Sequence, residues 1–336
     1  MGVSRAAIIG WGDVAIIHRE AIECIDGVDL VGVVDTDPAQ RELATEMLGV
    51  PAFASIDELV DAVAPDVVHV TTPHHQHISP TLESMARGVH VIQEKPLAAS
   101  IEDGQRLLDA MDRQAGVEGA PKVGICFQNR YNVSSQEMRR LLDSGELGAI
   151  NGAYASVVWT RTADYYRVKP WRGSREQSGG GLLINQAIHT LDLVQWFVGD
   201  VVDIAGHVAT NKFGDVIEVE DTAEMLLTHE SGVKTSFYAT LTAPQHRPVE
   251  IELDCDNAYV VLKNGLSVHW KDGRPAEVFE ERKAPSGGRA YWGVSHELLI
   301  RDFYDRVDEA DPFWISPAEA MKTLKILKKT YQVSGF

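Results

Sequence analysis

The sequence predicts an α/β N-terminal domain on a doubly wound parallel sheet, followed by an α+β C-terminal domain with a mostly antiparallel open sheet. Three observations carry this. At 336 residues the chain exceeds the size at which one hydrophobic core usually keeps growing, so two domains are expected. As far as Phe127, apolar β-like runs alternate with amphipathic segments, which is how βαβ units read. From about Asn151 the alternation gives way to strand after strand separated by short turns, the pattern of an antiparallel sheet. The first domain is drawn at residues 1–125 and the second at residues 126–336.

Composition narrows the function classes. Hydrophobic residues make up 44% and charged residues 24%, and no stretch approaches the run of about 20 apolar residues that a membrane helix needs. A soluble protein with no membrane partner is expected. The formal net charge of −18 argues against a nucleic-acid partner, since such binding rests on Lys and Arg meeting phosphates. Cys24, Cys126 and Cys255 are odd in number, far apart and in no CxxC pairing, which suits a reducing compartment. Cytoplasmic location follows as the expectation. The chain enters a strand-like run almost at once and shows no charged-then-apolar leader. Met1-Gly2 begins like a myristoylation site, but Ala6 stands where Ser or Thr is needed. No internal repeat or low-complexity tract is visible.

The strand-like runs of the first domain are Ala6 to Ile9, Leu30 to Val34, Val67 to Thr71, Val89 to Ile92 and Val123 to Phe127. Helix marks lie between them, such as Ser100 with Asp103 as a capping box and Gly88 as a stop. Directly after the first strand comes Gly10-Trp11-Gly12-Asp13-Val14-Ala15, which fits G-x-G-x-x-A. Gly10 permits a tight turn, Gly12 lets a pyrophosphate approach the backbone, and Ala15 allows close helix–strand packing. Asp13 and Val14 open the helix whose N–H groups face the anion. About 20 residues on, the second strand ends in Asp35, placed to take the adenosine ribose hydroxyls. That acid implies NAD. Thr36 beside it is also expected to touch cofactor; neither Thr36 nor Asp37 supplies a cation for a 2′-phosphate, while Arg41 is near enough to keep NADP open.

Two further strand ends carry candidate residues. The run Thr71-Thr72-Pro73-His74-His75-Gln76-His77 leaves the sheet where ligand loops leave a parallel sheet, so Thr72, Pro73 and His77 are expected to touch cofactor. No carboxylate or Cys completes a metal shell beside these histidines, and no metal is expected. The next strand, from His90 to Gln93, delivers Glu94-Lys95-Pro96 to the same edge. A lysine in a buried cleft can trade protons or donate to an alkoxide oxygen.

The combination Gly10-x-Gly12-x-x-Ala15, Glu94-Lys95-Pro96 and Gly179-Gly180-Gly181-x-x-x-Asn185-x-x-x-His189-x-x-Asp192 resembles the glucose-fructose oxidoreductase / inositol dehydrogenase (Gfo/Idh/MocA) family. The motifs stand in family order over nearly the whole chain. The resemblance implies a Rossmann NAD(P)-binding domain, then a domain for substrate and for dimer or tetramer contacts through its sheet. It also implies that Lys95 hydrogen-bonds the reacting hydroxyl at the nicotinamide and that Glu94 faces the cofactor ribose.

In the second domain, Gln128-Asn129-Arg130-Tyr131 precedes an amphipathic helix from Ser135 to Leu142 that Asp143-Ser144-Gly145 ends. By similarity to the family this is the crossing into the substrate domain, with Gln128 toward cofactor and Arg130 toward substrate. A loop from Tyr165 to Gly173 holds aromatic and basic residues suited to stacking on, and bidentate bonding to, a sugar or phosphate oxygen. Tyr165 and Trp171 are assigned to substrate and Arg172 to cofactor, the last two matching a Trp-Arg-Gly element of the family. After Gly179 to Gly181 a helix runs to about Phe197 and stops at Gly199. At about 100° per residue Asn185, His189 and Asp192 share a sector of about 60°, with Ile184, Ala187, Ile188, Leu191 and Val198 turned toward a core. The resemblance makes His189 the acid/base. Many relatives carry Asp where this chain has Asn185, and an amide takes no proton, so Asn185 and Asp192 are expected to orient substrate.

Further strand-like runs follow at Val201 to Ala209, Ala223 to Thr228, Lys234 to Thr242, Val249 to Leu253, Tyr259 to Leu262 and Leu266 to Trp270. Helical segments from Ser295 to Val307 and Pro317 to Tyr331 close the chain. The expected activity is NAD(P)-dependent, reversible oxidation of a secondary alcohol on a small polyhydroxylated substrate: a sugar, an inositol or a nucleotide-linked sugar. The alternatives are a redox-neutral, NAD-dependent glycoside hydrolase and a non-catalytic NAD or sugar sensor. Substrate identity is expected to lie in the loop from Asp164 to Gln177.

Overall fold

A computed structural model describes residues 3–282 and 295–336, so the Met1-Gly2 pair lies outside the described residues. The chain divides into two compact units, residues 3–128 with Ser295–Met321 and residues 129–282 with Lys322–Phe336.

The first unit holds β1 (Ser4–Ile9), α1 (Ala15–Glu23), β2 (Val28–Val34), α2 (Pro38–Leu48), β3 (Ala52–Phe53), α3 (Ile56–Val63), β4 (Val67–Val70), α4 (Ile78–Ala86), β5 (His90–Gln93), α5 (Ile101–Gln114) and β6 (Val123–Ile125). The six strands lie in the order β3-β2-β1-β4-β5-β6, and every pairing is parallel. This is the doubly wound order, with its switch point between β1 and β4, where the first strand's loop and the fourth strand's loop leave side by side. All four residues of β4 are buried, as are the last four of β1, as strands covered on both faces require. Helix starts follow local chemistry: Asp37, Ser55 and Ser100 each accept a backbone N–H in the first turn of α2, α3 and α5.

Residues 295–321 were expected in the second domain, but they stand with the first unit. A helix at His296–Asp305 (α10) packs on α1. A Cβ on Gly124 of β6 would sit 2.8 Å from both Phe303 and Phe313, so the glycine lets these rings close on the sheet. Ile125 N–H also donates to the Ile315 carbonyl at 2.9 Å.

The second unit contains α6 (Val133–Ser144), β7 (Ile150–Val158), α7 (Ala163–Arg167), α8 (Arg175–Ser178), α9 (Ile188–Val198) and β8 (Val201–Ala209). Then come β9 (Thr222–His229), β10 (Lys234–Thr240), β11 (Glu250–Cys255), β12 (Ala258–Leu262), β13 (Gly265–Trp270), β14 (Glu277–Glu280) and most of α11 (Pro317–Ser334). The eight-stranded sheet runs β14-β13-β12-β11-β7-β10-β9-β8, and only β7 with β10 is parallel. Strands β9 to β13 alternate buried and more exposed residues, the pattern of a sheet covered on one face, and α6 packs on β13 and β14 while α9 packs on β7. Among the described residues no helix is long and apolar enough to cross a membrane.

Candidate active site

At the carboxyl end of β1 the glycine-rich turn has two different requirements. Gly10 has φ 91°, and a Cβ on it would stand 2.9 Å from Thr72 Cγ2 and 3.1 Å from Thr72 N, so close approach of the β4 loop demands glycine there. At Gly12 a Cβ would meet nothing within 4 Å among the described residues beyond its chain neighbours. The protein itself does not need that glycine; a pyrophosphate lying against the backbone would. Helix α1 opens without a side-chain cap; Ala15 N–H and Ile17 N–H donate to the Gly12 and Val14 carbonyls at 3.2 and 3.0 Å, so among the described residues the Val14 and Ile16 N–H groups remain to meet an anion.

Asp35 closes β2. Its Oδ2 accepts from Trp11 N–H at 2.7 Å and its Oδ1 from Asp37 N–H at 2.8 Å. Carboxylate oxygens accept twice each, so capacity for ribose hydroxyls remains. Beside it, Arg41 Nη1 donates to the carbonyls of Asp35 and exposed Thr36 at 2.8 and 3.0 Å. Thr71 Oγ1 donates to the Gly10 carbonyl at 2.6 Å and pins the β4 loop, where Thr72 and Pro73 are half-buried. These residues fit a dinucleotide.

From Val91 to Ala99 every residue is buried except Lys95. Glu94 points inward: its Oε1 lies 3.1 Å from Nε2 of both His18 and His296, and its Oε2 accepts from Lys95 N–H at 3.2 Å. The chain of contacts continues from His18 Nδ1 to His69 Nδ1 (2.9 Å) and from His69 Nε2 to the Tyr304 hydroxyl (2.9 Å). Burial alone would raise the Glu94 carboxyl, but the two imidazoles outweigh it and hold the group well below its ordinary range. The acid expected against the cofactor ribose is therefore taken up inside the unit. Cys126 brings a third potential ligand atom to within 4.8 Å of those of His18 and Glu94, and burial pushes its thiol well up.

The buried histidines predict a pH dependence. Burial lowers His18 and His77 and drops His69 well below the ordinary 6.5. A folded-state value below the unfolded one means that the unfolded chain binds more protons in between. Stability is therefore fully present above about pH 6.5 and falls as pH drops below it, by at most about 1.4 kcal/mol per pH unit for each histidine. Glu94 acts in the same direction at lower pH, its contribution being lost as pH falls through its depressed value. Urea midpoints measured from pH 8 to pH 5 should decline, and His69→Gln should flatten the slope; a midpoint independent of pH contradicts the assignment.

In the second unit the glycine triplet is set by packing. A Cβ on Gly181 would lie 2.1 Å from the Glu220 carbonyl oxygen, and one on Gly180 would lie 2.1 Å from the Tyr331 hydroxyl. Glu220 accepts from Gly181 N–H and Leu183 N–H, both at 2.8 Å, and from Tyr331 at 2.8 Å, which anchors the helix start. That helix is not the regular one expected. Residues Leu183–Ala187 form a π-helical turn that passes into α9, and its wider turn rotates Asn185 away from the simple 100° relation to His189. Of residues 181–195 only Asn185 and His189 are not buried. Tyr165 reaches this wall: its hydroxyl accepts from Gln186 Nε2 at 2.8 Å and from Asn185 Nδ2 at 3.4 Å.

Residues 4–118 match the family described as "Oxidoreductase family, NAD-binding Rossmann fold", and residues 135–261 match the "GFO/IDH/MocA C-terminal domain". The chain belongs to the Gfo/Idh/MocA family. It is an NAD-binding oxidoreductase. Among similar proteins of this family, a D-apiose dehydrogenase of Paraburkholderia graminis is 26% identical over 80% of this chain and 70% of its own length. A D-glucoside 3-dehydrogenase of Escherichia coli is 30% identical over 58% of this chain and 54% of its own. The WlbA dehydrogenase of Chromobacterium violaceum, solved with NADH and UDP-GlcNAcA, has a TM-score of 0.85 at 29% identity, covering 99% of this chain and 94% of its own.

Several residues predicted from sequence to meet ligands instead meet one another. Arg130 and Asp192 form a bidentate pair, Nε–Oδ2 and Nη2–Oδ1 both 2.7 Å, with each side chain 1% exposed. The reason is that α9 is buried on nearly all sides, so a carboxylate on it needs an internal cation. His77 is buried, with its ring nitrogens 2.8 Å from the Pro96 carbonyl and 2.9 Å from that of Thr72; it braces the loop rather than facing the cofactor. Gln128 is buried as well. Gly12, Asp13 and Val14 are at least partly exposed, as are Asp35, Tyr165, Trp171 and Arg172. Sequence reasoning missed His18, His296, Gln186 and Glu220. For His18 the signal was its place on the helix after the glycine turn, while Glu220 had none, because its role depends on Gly181, 39 residues away along the chain.

Proposed function

We propose that this family member catalyses reversible oxidation of a secondary alcohol on a sugar, inositol or nucleotide-linked sugar. One observation supports the reading above others: Lys95 and His189 are the ionisable groups left reachable in two otherwise buried stretches, each on a motif of the family. The named activities of the relatives, on apiose and on glucosides, point to the same substrate class.

Bound NAD supplies the hydride acceptor or donor at its nicotinamide ring. The protein supplies the rest. Gly12 and the start of α1 receive the pyrophosphate, and Asp35 takes the ribose hydroxyls. The Lys95 ammonium donates to the substrate oxygen and steadies negative charge on it as the proton leaves. His189 takes that proton, and in the reverse direction returns it. Asn185 cannot hold a proton in this exchange; its amide orients the substrate, with Tyr165 holding the amide.

The test is appearance of NADH absorbance with inositols, free sugars and nucleotide sugars, with NAD or NADP supplied. Reduction with at least one substrate, and with NAD preferred, is expected. Preference for NADP would instead assign Arg41 to a 2′-phosphate. NAD binding without reduction across the panel would sink the reading.

We also propose that the protein acts in the cytoplasm as a homodimer or homotetramer built on the open face of the second unit's sheet. Tyr154, Leu226 and Tyr238 are 37%, 38% and 39% exposed there, on neighbouring strands β7, β9 and β10. Exposed apolar area of this kind is typical of an interface. Sedimentation equilibrium should give a dimer or larger, and Tyr238→Lys should shift it toward monomer; a wild-type monomer contradicts this.

A further inference from the structure

Trp159, Arg161, Tyr165 and Arg172 form a ladder of rings and guanidinium groups in the second unit. Arg161 Cζ lies 5.4 Å from the Trp159 ring centre and 5.2 Å from that of Tyr165, while Arg172 Cζ lies 4.4 Å from Tyr165. His246 stacks on Trp159 at 4.8 Å between ring centres. Among the described residues no carboxylate forms an ion pair with Arg161. Its Nη1 donates to the Thr160 carbonyl at 3.0 Å, and its buried Nε has no hydrogen-bond partner among the described residues. A buried donor left without an acceptor is costly, and it persists where something else pairs with it.

The neighbouring acids do not compensate. Glu220 and Asp221 act on Tyr166 together with Arg161, but Glu220 is engaged by Gly181, Leu183 and Tyr331. Asp221 is engaged by the N–H groups of Asn211, Lys212 and Phe213. An uncompensated cation in a chain of net charge −18 is a local exception. It also stands at the candidate site, because the Tyr165 ring beneath Arg161 carries at its hydroxyl the contacts to Gln186 and Asn185.

We propose that Arg161 receives an anionic group of the substrate, a carboxylate or phosphoryl group carried by the sugar, with Arg172 as a second cation over the same Tyr165 ring. This rests on the sugar-oxidoreductase reading and narrows its substrate class to acidic or phosphorylated sugars. A planar guanidinium matches either anion with paired donors, a geometry an ammonium cannot reproduce. Aromatic walls on the guanidinium exclude water and strengthen the pairing.

The experiment is calorimetric binding to the NADH-loaded protein of D-glucose, D-glucuronate, D-glucose 6-phosphate and a UDP-linked hexuronic acid. At least one anionic ligand should bind more than about 10-fold tighter than glucose, with the gap shrinking as salt is added. Arg161→Gln should weaken that ligand by about 10- to 100-fold, Arg161→Lys should restore part of the loss, and NADH affinity should hold in both. The proposal is overturned if no anionic ligand binds more tightly than glucose, if the gap survives Arg161→Gln, or if Arg161→Lys loses NADH rather than the sugar. Tight anion binding with no NAD reduction by any sugar would leave the site standing and remove the dehydrogenase reading; equal oxidation of neutral and acidic sugars would do the reverse.

Discussion

Replacing Lys95 by alanine is expected to lower kcat by about 10²- to 10³-fold, the range over which one donor to a developing negative oxygen contributes. Affinity for NAD should change little, because under the proposed function the dinucleotide falls to Gly12, the start of α1 and Asp35 and not to Lys95. The separation of the two effects is the informative part. Lys95 is the one residue between Val91 and Ala99 that is not buried, and its backbone N–H is tied to Glu94, itself fixed by His18 and His296. Truncating the side chain leaves that network intact, so loss of fold does not explain loss of rate. Stopped-flow turnover beside fluorescence titration of NADH measures both. Retained turnover contradicts the role, and a matched loss of NADH binding would move Lys95 from the substrate to the cofactor.

Asp192→Ala is expected to destabilise the protein by about 3–5 kcal/mol, since it strands the Arg130 guanidinium in the interior without its carboxylate. Both side chains are 1% exposed, so water cannot take the partner's place. The doubly apolar variant Arg130→Met with Asp192→Leu should recover most of the loss, because it removes both charges together. Denaturant midpoints for the two singles and the double decide it. Singles that stay near wild-type stability while losing substrate affinity would return both residues to the binding site.

The doubly wound half was legible because its signals are local. Strand, glycine turn and capped helix recur within short windows, and Ser100 does cap α5 as its spacing with Asp103 suggests. Strand β3 escaped notice, being two residues long, and β14 carries no apolar alternation. Gly10, Gly12, Asp35, Lys95 and His189 are not buried, and each lies on the strand end or helix where its motif was read. The misplaced residues share a cause. Glu94, His77, Arg130 and Asp192 are polar groups on motif-bearing elements, and a motif does not tell which of its polar members faces outward. That depends on partners 62 residues away for Arg130 and 202 for the Glu94 contact with His296. The π-helical turn at Asn185 is likewise something no helical period reveals.

The central claim is direct hydride transfer between a carbon of the substrate and NAD. It is tested most directly by supplying a sugar that supports NAD reduction in fully deuterated form and weighing the reduced cofactor by mass spectrometry. Reduced cofactor heavier by one deuteron is the predicted result; unlabelled NADH, or sugar converted with no reduced cofactor at all, would contradict it.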